Sequence, residues 1–146
     1  MKPESKELSG VLFANLALIK SEYKVSQIAG VQGNQVEFVP KANLKSGLRF
    51  GYKNLKASFQ FTYLTNQFSD ATNARDGGVA GVVGLIPTYK IMDASLSYDF
   101  KKFRMESSIN NLANEMYYTR RATGYPGPGI LPSDGRSFYL TLQVKM

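Results

Sequence analysis

The sequence has no cysteine, no histidine and no tryptophan among its 146 residues. Without cysteine there is no disulfide framework and no thiolate metal site. Without histidine the commonest general base and metal ligand is missing. A hydrolase built on a Ser–His pair is therefore excluded within this chain. Paired carboxylates placed for acid–base work are lacking too, and Asp70, Asp76, Asp93 and Asp99 are too scattered for a calcium loop. The chain is not expected to be an enzyme, nor to carry a catalytic residue, a metal or a cofactor.

Long hydrophobic runs are also lacking. No stretch approaches the roughly 20 apolar residues of a membrane helix. The opening "MKPESKELSG" is charged where a signal peptide needs an apolar segment. By those tests the chain reads as soluble, and its 43% hydrophobic and 20% charged residues agree. The net charge of +7 suits a solvated surface rich in Lys; an anionic ligand or nucleic acid is the other reading. No basic run exceeds two residues.

Period-two alternation points elsewhere. About six segments carry it. The first runs from Gly10 to Lys24, with Leu12, Ala14, Leu16 and Leu18 on one face. In the second, from Asn43 to Lys53, Leu44, Leu48, Phe50 and Tyr52 oppose Lys45, Gly47, Arg49 and Gly51. The third sets Leu55, Ala57, Phe59, Phe61 and Tyr63 against Lys56, Ser58, Gln60 and Thr62. The fourth sets Met92, Ala94, Leu96, Tyr98 and Phe100 against Ile91, Asp93, Ser95, Ser97 and Asp99. The fifth sets Phe103, Met105, Ser107 and Ile109 against Arg104, Glu106, Ser108 and Asn110. The last sets Phe138, Leu140, Leu142, Val144 and Met146 against Tyr139, Thr141, Gln143 and Lys145.

A half-buried soluble sheet would show the same alternation. The links discriminate. Lys53-Asn54 and Lys101-Lys102 make tight turns, whereas 25–42, 69–89 and 113–135 are long. Short and long links alternate, as in a transmembrane β-barrel with short periplasmic turns and long outer loops. Aromatics gather by the tight turns: Phe50, Tyr52 and Phe59 at one, Tyr98, Phe100 and Phe103 at the other. They form half of an interfacial girdle. The expected fold is all-β: an antiparallel up-and-down meander whose apolar face meets lipid. Small barrels need about eight strands or more, and open edges cannot face hydrocarbon. The chain is thus expected to be the tail of a longer barrel. Residues 1–9 form a disordered or non-native lead, and 10–146 the barrel segment.

The C-terminal stretches "SSINNLANEMYYTRR" and "GYPGPGILPSDGRSFYLTLQVKM" resemble the end of a TonB-dependent outer-membrane receptor. The family's Asn-Leu-x-Asn-x-x-Tyr pattern is matched by Asn111, Leu112, Asn114, Tyr117 and Tyr118, and its Gly-Arg-aromatic strand by Gly135, Arg136, Phe138 and Tyr139. Pro40 and Asn43 lead into a hairpin similar to an earlier strand pair. The resemblance runs from Val36 to Met146, and Tyr125 to Gly129 are most like ferric-dicitrate-type receptors.

The resemblance implies a barrel of about 22 strands closed by an N-terminal plug. It further implies residence in the bacterial outer membrane, loops outside and C-terminus periplasmic, and uptake of a ferric chelate energised by TonB. Implied partners are the rest of the barrel and the plug, TonB through that plug, membrane lipid, the barrel-assembly machinery at the last strand, and the chelate. Nucleic acid is not among them. The chain departs from the family in lacking the plug and in ending on Met146 rather than an aromatic residue.

Arg120, Arg121, Tyr117, Tyr118 and Tyr125 are the candidate ligand-binding residues. Arg offers a planar fork to carboxylates, and Tyr can stack on a chelate or bond to it. The plainer reading of the arginines is loop solvation or pairing with Glu115 or Asp134; that of the tyrosines is packing on the rim. Asn110, Asn111 and Asn114 fit the turning of the backbone at the strand exit. "DGGVAGVVG", 76–84, reads as a mobile outer loop and not as a phosphate-binding one, for no helix follows it. Two further functions stay open. One is a small soluble β-barrel that binds a hydrophobic ligand or nucleic acid, the other a small structural outer-membrane barrel.

Overall fold

The computed structural model describes residues 8–122 and 129–144. Ten strands are present among them: β1 (Leu8–Leu18), β2 (Ala42–Tyr52), β3 (Leu55–Leu64), β4 (Gln67–Phe68), β5 (Leu85–Ile86), β6 (Tyr89–Phe100), β7 (Phe103–Asn110), β8 (Tyr118–Arg121), β9 (Ile130–Pro132) and β10 (Ser137–Val144). There is no helix among the described residues. Six strands make one sheet in the order β1-β2-β3-β6-β7-β10, and every pair in it is antiparallel.

The register explains the alternation. Directly opposed residues of an antiparallel pair share a face. One continuous row runs Leu12, Leu48, Phe59, Ala94, Ile109, Phe138 across all six strands. The next row on that face runs Gly10, Phe50, Ala57, Leu96, Ser107, Leu140, and the one after it Leu8, Tyr52, Leu55, Tyr98, Met105, Leu142. The opposite face carries rows such as Val11, Arg49, Ser58, Ser95, Ser108, Tyr139. There the Ser58 and Ser95 hydroxyls bond at 2.8 Å, and Arg104 meets Glu106 at 3.5 Å.

No second protein layer covers the apolar face. Leu12 is 81% exposed, Leu142 66%, Leu96 48% and Phe59 39%. The fully buried apolar residues, Val31 and Ile86, both lie in the long links, away from the six-stranded sheet. The accessible surface is 10792 Å², against about 7,450 Å² for a compact monomer of this mass. The sheet has no core of its own.

The hairpins close as the sequence predicts. Tyr52 pairs Leu55 across Lys53–Asn54, and Phe100 pairs Phe103 across Lys101–Lys102. β1 starts at Leu8 and stops at Leu18, six residues short of the expected Lys24. Pairing continues one step, with Ile19 N donating to Lys41 O at 2.9 Å. The next position faces Pro40, which has no N–H to give, and the ladder ends. The predicted loops 69–89 and 113–135 contain the small ribbons β4–β5 and β8–β9. Residues 1–7 of the expected lead, together with Tyr125 and Met146, lie outside the described residues. β1 and β10 are the two edges of the sheet and do not pair with each other.

Gly47 marks the closest approach on the polar face. A Cβ there would lie 2.6 Å from the Phe13 ring and 2.6 Å from the backbone oxygen of Phe59. The Phe13 ring covers the gap that the glycine leaves, and the Arg49 guanidinium lies 5.6 Å from its centroid. Gly47→Ala is expected to destabilise the sheet by about 1–3 kcal/mol, the range for overpacking. Urea unfolding in detergent measures it; an unchanged midpoint would show that the ring and strand yield freely.

Candidate functional site

The long links gather at one end of the sheet, where the β4–β5 ribbon, the glycine-rich segment and the β8–β9 ribbon meet. The segment 76–84 is built into this cluster. Gly81 N bonds to Gly77 O at 2.8 Å, Ser69 N to Gly84 O at 3.2 Å and Leu85 N to Arg75 O at 3.1 Å. Gly129, at φ +70°, sits against it so closely that a Cβ would fall 2.8 Å from Gly81 O. Gly129 therefore touches the glycine-rich segment backbone to backbone, and a side chain at the contact would push the two apart.

Arg121 ties this contact together. Its Nη1 donates to Gly81 O at 2.6 Å, and its Nη2 donates to Leu85 O at 3.2 Å and to the Tyr118 hydroxyl at 3.0 Å. The guanidinium carbon lies 5.4 Å from the centroid of the Tyr118 ring, and that hydroxyl donates to Leu85 O at 3.0 Å. Arg121 Nε is buried with no hydrogen-bond partner. Arg121 and Tyr118 thus join β8 to β5 and to the glycine segment, and neither pairs with Glu115 or Asp134. Arg120 points elsewhere. It is exposed and makes no hydrogen bond or ion pair with any described residue. It borders a hollow of about 470 Å³ with Phe38, Gln67, Thr119 and Arg121 itself.

Tyr117 is half-buried, its ring centroid 4.7 Å from that of Tyr89 on β6. It lines a hollow of about 320 Å³ together with Asp93, Asp134 and Tyr139. The sequence candidates are therefore not one constellation. Tyr118 and Arg121 act together, Arg120 opens on one hollow and Tyr117 on another.

Asn111 and Asn114 turn the backbone as expected, at φ +51° and +55°, values that Asn tolerates better than most residues. Asn111 is 3% exposed. Its Nδ2 donates to Glu115 O at 2.9 Å and to Asp134 O at 3.3 Å, and its Oδ1 accepts from Glu115 N at 2.8 Å. Its own N–H donates to Asp93 Oδ1 at 2.9 Å. Asn114 Oδ1 accepts from Arg136 N at 3.0 Å. The pair pins the loop to the start of β10.

One feature gives no signal in the sequence. A cleft of about 530 Å³ lies between the first two long links, lined by Lys20, Lys41, Asn34, Phe68 and Asn73 among others. Asn73 Oδ1 accepts from Gln35 N, and its Nδ2 donates to Gln35 O, both at 2.8 Å. Beside the cleft, a hydrogen bond from Lys24 and its charge hold the Glu22 carboxyl below its usual range. A hydrogen bond to Glu37 raises the Tyr23 phenol, which stays a donor. The Gln35–Asn73 contact joins residues 38 positions apart, and no local pattern announces it. Among the described residues no cluster of His, Cys, Asp and Glu could hold a metal ion.

No family model and no curated protein matches the chain. Solved structures do match it. The unliganded ferric citrate transporter FecA superposes with a TM-score of 0.82 over 94% of this chain, at 22% identity. The siderophore receptor PiuA from Acinetobacter baumannii gives 0.72 over 97%, at 22% identity. The ferric yersiniabactin uptake receptor FyuA from Yersinia pestis gives 0.73 over 97%, at 19% identity. The fold is thus that of one part of these receptor β-barrels, and the chain spans about a fifth of their length, 21%, 20% and 21%. The structures it resembles are ferric-chelate receptors, the kind that the C-terminal motifs indicate. They are transport proteins and not enzymes.

The bonding predicts which changes loosen the loop cluster. Arg121→Ala is expected to free the 77–84 segment and raise its rate of proteolysis several-fold, while Arg120→Ala leaves it unchanged. Limited proteolysis with mass mapping distinguishes the two. Equal protection in both variants would remove Arg121 from this role.

Proposed function

We propose that the chain is the C-terminal segment of the barrel of an outer-membrane receptor that takes up a ferric chelate, siderophore or citrate, with energy supplied through TonB. The observation that carries this reading is the largely apolar face of a six-stranded sheet that no layer of described residues covers. Strands of about 10 residues are some 33 Å long, and tilted by about 45° they rise some 23 Å. That matches the roughly 25 Å apolar band of such barrels. Lipid then serves as the second layer. The polar face lines the lumen, where a plug docks, and the remaining strands satisfy the edges at β1 and β10. The likeness to the ferric citrate transporter and the siderophore receptors supports the choice of ligand class.

In this reading the long links are extracellular and the tight turns periplasmic. The barrel-assembly machinery reads β10. Arg120 is the ligand-facing cation, and Tyr117 and Tyr125 add rim contacts. Arg121 and Tyr118 serve the ligand by holding the loops that present it. A soluble binding barrel is disfavoured, because the sheet neither closes nor buries its apolar face.

Two outcomes test the proposal. The chain should aggregate in plain buffer and be monodisperse in detergent; a monodisperse monomer without detergent, seen by sedimentation, would end the lipid reading. In the full-length receptor that contains this segment, Arg120→Ala should lower the affinity for an anionic ferric chelate roughly tenfold, the scale of a lost charged hydrogen bond. Binding of radiolabelled chelate to cells measures it, and unchanged affinity would take Arg120 out of the site.

A further inference from the structure

The two tight turns carry a feature that turn chemistry does not require. Lys53 and Lys101 are the first turn residues and adopt φ +51° and +48°. Asn, Asp or Gly suits that geometry better, and Lys is among the residues that pay for it. Lys102 follows directly, so the turn tips hold three cations and no anion. The turns are neighbours, because β3 pairs β6 and Asp99 N bonds to Asn54 O at 3.0 Å.

The ammonium groups are placed over the edge of the apolar face. Lys53 Nζ lies 5.2 Å from the Tyr52 ring centroid, and Lys101 Nζ lies 5.5 Å from that of Phe100. Tyr52 and Phe100 are 43% and 53% exposed, at the end of the rows that run across the sheet. A long side chain laid along an aromatic ring, with its charge at the water boundary, is how Lys sits at a membrane surface. Lys102 is exposed beside them.

We propose that this rim docks anionic phospholipid headgroups, with Lys53, Lys101 and Lys102 contacting the lipid phosphates and Tyr52 and Phe100 seated at the headgroup level. The inference rests on the lipid reading of the apolar face and adds to it a preference for charge in the leaflet at the turn end. Attraction of Lys to an anionic surface supports it, at roughly fivefold in affinity per residue.

The test is co-flotation of the full chain, diluted from detergent, with vesicles of phosphatidylcholine alone or mixed with phosphatidylglycerol. The wild-type chain should bind both, and the mixed vesicles more tightly, with the difference falling at high salt. K53Q/K101Q/K102Q should keep its binding to neutral vesicles and lose the preference, a drop of order a hundredfold for three lysines. K53R/K101R/K102R should keep the preference, which guards against misfolding as the cause. K20Q/K41Q/K45Q, with the same charge lost away from the apolar face, should keep it too. The inference is overturned if the glutamine turn variant retains the preference or if the control loses as much. If the wild-type chain floats with neither vesicle, the lipid reading itself falls and takes the inference with it.

Discussion

Everything in this molecule depends on keeping register. Because side chains alternate with period two, a slip of one residue in any strand would send its apolar set to the wet face. The register of the six-stranded sheet is continuous from β1 to β10, and each apolar row stays on one side through every pairing. Two-residue turns hold register within the hairpins. Between hairpins the long links cannot, and there the side-chain pattern itself has to do it. The contrast between a hydroxyl and charged face and a leucine and aromatic face is strong enough to do so.

The link end obeys different physics. It is where the described residues bury apolar groups fully, at Val31 and Ile86, and where side chains bond to distant backbone. Glycine permits the close contact between 77–84 and Gly129, and Arg121 bonds the carbonyls that this contact leaves open. An arginine is well suited, because its fork serves two carbonyls and a hydroxyl at once. The same use of its donors sets it apart from Arg120, its neighbour in sequence, whose side chain bonds to no described residue. Tyr118 and Arg121 reach the same carbonyl although strict alternation would separate them, and the register irregularity between Tyr118 and Arg120 lies at that point.

The six strands, their faces and their tight turns were legible because each is a local pattern. The end of β1 was not, since it depends on Pro40, some 20 positions along the chain and brought opposite only by pairing. The ribbons β4–β5 and β8–β9 are two to four residues long, too short for alternation to speak. The candidate site was legible in composition and not in arrangement. Arg120, Arg121, Tyr117 and Tyr118 stand within five positions, yet Arg120 and Arg121 border one hollow and Tyr117 another. Asn111 and Asn114 were read as turn residues, and they are, though nothing local showed Asp93 and Asp134 as the groups they hold.

The strictly sequential order of the sheet also bears on how it forms. Each long strand pairs with the long strand nearest it in the chain, so no contact waits for distant ends to meet. Hairpins with two-residue turns zip within about 1–10 μs. Joining them means closing the intervening links, and that entropy grows only with the logarithm of link length. A chain wired this way assembles as a row of preformed hairpins, and long insertions between them slow it little.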